Sequence, residues 1–141
     1  MKIQQSKIYL HQVNYESIKG FKNLAKKERV SLTETKDTMW FHVKHKKEII
    51  GCCAIHLGRK KTRLKGSWLL PQYRGRGSFK TINDYREKIS KDLGYKKIEV
   101  LTLHKNHYAK RGFKLLKETK NKGVYHMEKN YLSEELVIST K

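Results

Sequence analysis

The chain has 141 residues, 33 Lys+Arg against 13 Asp+Glu for a net charge of +20, and 37% hydrophobic residues. That length suits one domain with a single core; no run of 18 or more apolar residues and no apolar leader behind Met1 occurs, which argues against membrane spans and secretion and predicts a cytoplasmic protein. A charge of +20 attracts polyanions, whether nucleic acid, an acidic protein surface or anionic lipid, and a lysine-rich proteome from an AT-rich genome is the compositional alternative. Residues 2–10 alternate weakly, with Ile3, Ile8 and Leu10 apolar, and predict a first strand around 6–13. Asn14 is placed to cap the next segment, in which Ile18, Phe21, Leu24 and Ala25 share a helical face to about Glu28. Residues 29–38 are polar and read as a loop or one short helical turn. Met39–Val43 and Glu48–Leu57 are strand-like runs around the basic turn Lys44–Lys47, an antiparallel hairpin. Cys52 and Cys53 are adjacent inside the second run, so a strand points them to opposite faces as two reduced thiols, without a mutual disulfide or shared metal.

Gly58–Arg63 forms a second basic connection, leading to an apolar strand that ends at Leu70 before Pro71, which cannot donate to a sheet ladder. Gln72-Tyr73-Arg74-Gly75-Arg76-Gly77 follows. Phe79, Ile82, Tyr85, Arg86 and Ile89 then mark an amphipathic helix to about Leu93, with Gly94 placed as its C-cap residue. Strand, Gly-rich turn and helix in that order let backbone N–H groups and a helix N-terminus converge on an anion, most often a phosphate. Arg74 and Arg76 add charge there. The turn is not a P-loop, since no Gly-Lys-Ser/Thr follows, nor a dinucleotide fingerprint, which needs three spaced glycines and a later acidic residue. A tight turn with surface arginines is the bland alternative. Lys97–Leu103 is the next strand, parallel to the one ending at Leu70 if the helix is a right-handed crossover. His107–Lys110 make a short helix stopped by Gly112. Phe113–Lys117 and Val124–Lys129 form a closing hairpin, and the tail Tyr131–Lys141 would either add a strand through Leu136, Val137 and Ile138 or dock on a partner. Without repeats or linkers, residues 1–141 read as one domain, with a core of about 6–131 and a tail of 132–141.

Residues 72–77 fit the Gln/Arg-x-x-Gly-x-Gly/Ala loop of the GCN5-related N-acetyltransferase (GNAT) superfamily, and the element order from about residue 6 to 131 is similar to that family throughout. Asn106-His107-Tyr108-Ala109-Lys110-Arg111-Gly112-Phe113 resembles its Asn…Tyr-x-x-x-Gly-Phe segment, and Val124–Lys129 looks like its last strand. The resemblance implies an α/β (α+β) fold: a mixed, mostly antiparallel sheet of six to seven strands with a splayed central parallel pair, flanked by helices. It implies acetyl transfer from acetyl-CoA to an amine. Trp68, Leu69 and Leu70 would edge the gap that takes pantetheine. Gln72, Tyr73, Arg74, Gly75, Arg76, Gly77, Ser78 and Phe79 would hold the pyrophosphate, and Asn106 would touch the pantetheine arm. Tyr108 would be the general acid for the leaving thiolate, which suits a phenol of pKa near 10; its structural alternative is an aromatic packing the short helix on the sheet.

The chain departs from the family where many members carry a strand-four Glu as base, because no Asp or Glu occurs between Glu48 and Asp84. His56, His104 and Glu99 are the nearest candidates, each also readable as an ordinary structural residue. The histidines show no metal-ligand spacing, so no metal is expected. By the same resemblance, residues 29–38 and 117–122 would surround the acceptor, with Lys117, Lys120 and Lys122 as a basic rim suited to phosphates. Three readings stay open: an acetyltransferase whose acceptor lies on DNA, RNA or a nucleic-acid-bound protein, phage enzymes that modify DNA bases on this fold being one such case by analogy alone; one acting on a small amine or a protein N-terminus; and a non-catalytic CoA- or nucleic-acid-binding module. The sequence does not choose between monomer and homodimer.

Overall fold

Seven strands form one sheet in the order β1-β2-β3-β4-β5-β7-β6, in a computed structural model that describes residues 8–131. β1 (Ile8–Val13), β2 (Thr38–His45), β3 (Glu48–Leu57) and β4 (Thr62–Leu69) are successive antiparallel neighbours. β5 (Lys97–Thr102) runs parallel to β4, and β7 (Tyr125–Asn130) lies antiparallel between β5 and the edge strand β6 (Lys114–Glu118). The helices are α1 (Lys22–Lys26), α2 (Ser78–Asp92) and α3 (Lys105–Ala109). The mixed sheet with a central parallel pair therefore stands as expected. The proposed tail strand falls outside the described residues. Among those residues no helix is long and apolar enough to cross a membrane.

Strand alternation sorts the core into two faces. Val43, Cys53, Ile55, Leu64, Leu69, Ile98, Val100 and Met127 pack with Ile82 of α2 on one face. Trp40, Cys52, Ala54 and Trp68 pack with Tyr15, Ile18, Ala25 and Leu32 on the other; these are called the α2 face and the α1 face below. The adjacent thiols indeed divide between the two. Burial pushes the Cys52 thiol up to about 12 and the Cys53 thiol up to about 11, so the nucleophilic thiolate is scarce in both. A disulfide reagent at about pH 8 should leave the native protein unlabelled and label both thiols after denaturation.

Two local expectations change. Residues 14–28 do not form one helix: Asn14 Oδ1 accepts the Ser17 N–H at 3.1 Å, a 3-10 segment covers Tyr15–Phe21, and α1 occupies only Lys22–Lys26. Gly20 lies mid-segment and disfavours a continuous α-helix, while the tighter turn still buries Tyr15 and Ile18. β4 begins at Thr62, well before the apolar run. Thr62 and Leu64 turn inward, while Arg63 reaches Glu99 and Lys65 lies over the Trp40 ring at 5.7 Å. What reads as a basic connection is half a strand whose outward residues are cations.

The parallel pair is joined only from Thr62–Leu64 to Ile98–Val100, although β4 continues to Leu69 and β5 to Thr102. Beyond Leu64 the β3–β4 register slips between Cys52 and Ala54, and Gly66 takes φ +64°. A slipped ladder leaves carbonyls to be satisfied from elsewhere. Arg86, fully buried at 0% exposure, donates from Nη1 to the carbonyls of Ala54 at 2.9 Å and Lys65 at 3.1 Å, and from Nη2 to Asn83 Oδ1 at 2.6 Å. The buried stripe of α2 is therefore Ser78, Ile82, Asn83, Arg86, Glu87 and Ser90, more polar than its periodicity suggests.

Candidate functional site

The Gly-rich turn lies where β4 ends. Pro71–Tyr73 form a single 3-10 turn, and Gly75 and Gly77 take φ +75° and +77°, a region open to glycine at little cost. Gly77 opens α2 without a side-chain cap, so the leading N–H groups of the helix, which lack intrahelical acceptors, remain directed at whatever lies beyond it. The N–H groups of Tyr73 and Arg74 are used within the turn, donating to Leu70 O at 3.0 Å and Pro71 O at 3.1 Å. Ser78 Oγ donates to Tyr73 O at 2.8 Å, and Phe79 packs partly buried on the core. Gln72 and Arg76 are exposed.

Arg74 is committed elsewhere. Its guanidinium grips both Glu28 carboxylate oxygens at 2.7 and 2.9 Å, donates from Nε to Leu69 O at 2.9 Å, and lies 5.4 Å over the Trp68 ring. Trp68 Nε1 donates to the same Glu28 at 2.9 Å. Hydrogen bonds from Arg74 and then Trp68 hold the Glu28 carboxyl below the usual range, so it serves as an anion rather than a base. Trp68 and Leu69 are buried, and Leu70 bridges the two core clusters.

At the end of β5, α3 carries Asn106, exposed, and Tyr108, 8% exposed. The Tyr108 ring meets His107 and Phe113 edge-on, with centroids 5.0 and 5.2 Å away. His107 Nε2 lies 3.2 Å from Asn83 Nδ2, while Asn83 Oδ1 is taken by Arg86. The amide nitrogen is thus the donor, His107 accepts at Nε2, and burial, followed by the Arg111, His104 and Lys110 charges, lowers its pKa. This Arg86–Asn83–His107 relay fastens α3 to α2 and to the slipped strands. Its signal in the sequence was Arg86 lying within the apolar stripe of the helix.

On the α1 face, beyond the cover of residues 15–32, β4, β5 and β7 present Arg63, Glu99, Leu101, His126 and Glu128. Glu99 is 7% exposed. Burial favours its neutral acid, but His126, Lys61 and Arg63 outweigh that and leave its pKa lowered. A depressed folded-state pKa adds stability above the ordinary carboxylate range, and this is lost as pH falls through the folded value. The melting-temperature advantage of the wild type over Glu99→Gln should therefore be largest near neutrality and shrink below about pH 4. Glu99 is thus unsuited as a base. His56 Nδ1 lies 3.2 Å from Thr38 Oγ1, and His104 is exposed at the start of α3. Arg29 Nη2 donates to Lys122 O at 3.1 Å, bringing together the two loops expected around the acceptor. Glu28 and His126 escaped notice in the sequence because their partners are distant in the chain. Among the described residues no group of three or more His, Cys, Asp or Glu is placed to hold a metal ion.

The parallel pair thus parts beyond a three-residue ladder, with a Gly-rich turn and an uncapped helix N-terminus at its mouth. Residues 8–116 match the acetyltransferase (GNAT) family. The chain belongs to that family, and by class it is an acetyl-CoA-dependent N-acetyltransferase. N-acetylglutamate synthase from Neisseria gonorrhoeae, solved with coenzyme A and N-acetyl-glutamate, aligns at TM-score 0.71 and 11% identity over 88% of this chain and 35% of that one. The PaiA N-acetyltransferase of Thermoplasma acidophilum, solved with coenzyme A, aligns at TM-score 0.69 and 18% identity over 88% and 99%. A GNAT acetyltransferase of Elizabethkingia anophelis with acetyl-CoA bound aligns at TM-score 0.60 and 16% identity over 88% and 98%. No curated protein sequence matches the chain.

Proposed function

We propose that the protein transfers an acetyl group from acetyl-CoA to an amine borne by nucleic acid or by a nucleic-acid-bound protein. The carrying observation is an open surface groove of about 520 Å³ lined by His56, Gly58, Arg59, Lys60, Lys61, Arg63 and Glu99. Within it Glu99 takes ion pairs from Lys61 and Arg63, so Arg59 and Lys60 leave an excess of positive charge for a phosphate backbone. In a chain of net charge +20, that excess attracts polyanions and does not suit polyamines.

On the donor side, the parted β4 and β5 receive the pantetheine along Trp68, Leu69 and Leu70. Within the Gln72–Gly77 turn, whose Tyr73 and Arg74 N–H groups are spent on Leu70 and Pro71, the remaining backbone N–H groups and the first turn of α2 (Ser78, Phe79) hold the pyrophosphate, with Arg76 adding charge. Glycines in the left-handed region and a helix start without a side-chain cap support that role. Arg74 acts through Glu28, fixing the turn against β4. Asn106 borders the pantetheine arm, and Tyr108 protonates the departing thiolate. Replacing Gly75 or Gly77 by Val puts a β-branched residue at positive φ. Acetyl-CoA binding measured by calorimetry should be lost while the far-ultraviolet spectrum is kept.

The acceptor reading is tested by titrating the protein with duplex DNA, single-stranded DNA and RNA over a range of salt, with and without acetyl-CoA. Micromolar or tighter binding near physiological salt, weakened in Arg59→Glu and Lys60→Glu, supports it, and mass spectrometry of the nucleosides then locates the acetyl group. Binding no tighter than about 10⁻⁴ M overturns it and makes free amines or protein N-termini the acceptors.

A further inference from the structure

We propose that His126, oriented by Glu99, is the general base that deprotonates the acceptor amine; the inference rests on the acetyl-transfer reading above. The register Leu101↔His126 puts the histidine beside the first β5 residue after the last β4–β5 pair, Leu64↔Val100. His126 is thus level with the point where the strands part. It projects on the α1 face, opposite Lys117 of β6, whereas Tyr108 belongs to the cluster with Met127 and Phe113 on the α2 face. Acid and base therefore approach the parted strands from opposite faces.

The hydrogen bonds set the tautomer. Glu99 Oε2 accepts from Arg63 Nε at 2.9 Å and lies 2.9 Å from Arg63 Nη2, and Oε1 lies 3.0 Å from Lys61 Nζ and 2.7 Å from His126 Nε2. A carboxylate held ionised by two cations only accepts, so His126 Nε2 carries the proton. In the neutral ring Nδ1 then holds the lone pair. The side chain is 17% exposed, and Nδ1 has no hydrogen bond among the described residues. Lys61 also pairs with Glu128 at 2.9 Å, so the cations nearest to the ring are already matched by carboxylates. His56 is engaged by Thr38, and His107 accepts at Nε2 from Asn83. Among the described histidines, His126 alone combines a carboxylate partner with this place at the parting strands.

The step balances. Nδ1 takes a proton from the amine as its nitrogen bonds to the thioester carbonyl carbon. The carbon–sulfur bond breaks, and the Tyr108 hydroxyl supplies the proton that the sulfur needs. Glu99 stabilises the resulting imidazolium, and exchange with water returns both residues to their starting forms. The carboxylate fixes the tautomer that leaves Nδ1 to accept the proton, and Glu99 is not itself the proton acceptor.

The test combines activity with a readout independent of it. Nitrogen-15 spectra of the imidazoles should show His126 protonated at Nε2, and Glu99→Gln should weaken that preference. Thiol release from acetyl-CoA is then followed with a panel of primary amines, lysine peptides and oligonucleotides. In His126→Ala and His126→Gln, acetyl-CoA affinity by calorimetry should stay unchanged while kcat falls by about 10²- to 10⁴-fold. Added imidazole should restore part of the rate to the Ala variant. An unchanged kcat in both variants, or a wild-type ring protonated at Nδ1, overturns the role of His126 and leaves acetyl transfer standing. A wild type that binds no acetyl-CoA, or acetylates nothing in the panel, overturns the parent reading and the base with it.

Discussion

Gly51→Ala is expected to destabilise the protein by about 3 kcal/mol or more, which for a domain of this size lowers the melting temperature by roughly 10 °C. A Cβ on Gly51 would stand 2.1 Å from the Trp68 carbonyl oxygen, 2.9 Å from Leu69 Cδ2 and 3.0 Å from Leu69 Cα. Two of those atoms are backbone, so no rotamer change relieves the contact. Gly51 pairs with Leu69, so the strain is relieved only by pushing β4 away from β3. The displaced end of β4 carries Leu70 and the Gly-rich turn, so acetyl-CoA affinity should fall with stability. Gly20→Ala is the control. A Cβ there meets nothing within 4 Å, and the substitution should be neutral or stabilising by up to about 1 kcal/mol. Urea denaturation of the two variants separates the cases; equal midpoints would remove the close β3–β4 approach from the account.

Tyr108→Phe should lower kcat by about 10²- to 10⁴-fold, the usual contribution of a positioned general acid, with little change in acetyl-CoA affinity or melting temperature. The ring is buried between His107 and Phe113, and Phe retains those edge-on contacts. Among the described residues the Tyr108 hydroxyl has no hydrogen-bond partner, so its removal orphans no internal group and costs little stability. The separation of rate from stability distinguishes a proton donor from a packing aromatic. Unchanged turnover would remove Tyr108 from the mechanism and leave it as the residue that packs α3 on the sheet.

Much of this site was legible because its signals are local. Pro71 ends the strand, Gly75 and Gly77 permit the left-handed turn, and α2 follows with the expected bounds. The opposite facing of Cys52 and Cys53 needs only the two-residue period of a strand. The extent of β4 was less legible, because Arg63 and Lys65 read as a polar connection until Glu99 and the Trp40 ring are seen to receive them. Arg74 reads as charge for an anion, yet 46 residues away Glu28 claims it. Arg86 reads as one member of an apolar stripe, while its guanidinium reaches carbonyls 32 and 21 residues away.

The sequence by itself determined the periodic elements, the turn that links β4 to α2, and the segment that presents Tyr108, since these follow from neighbours within a few residues. Tertiary structure alone decided which cations are spent and which remain. A charge is neutralised by whatever strand register and burial bring within about 3 Å, and no local period encodes that. Glu99 and His126, 27 residues apart, became a pair only when β5 and β7 lay side by side.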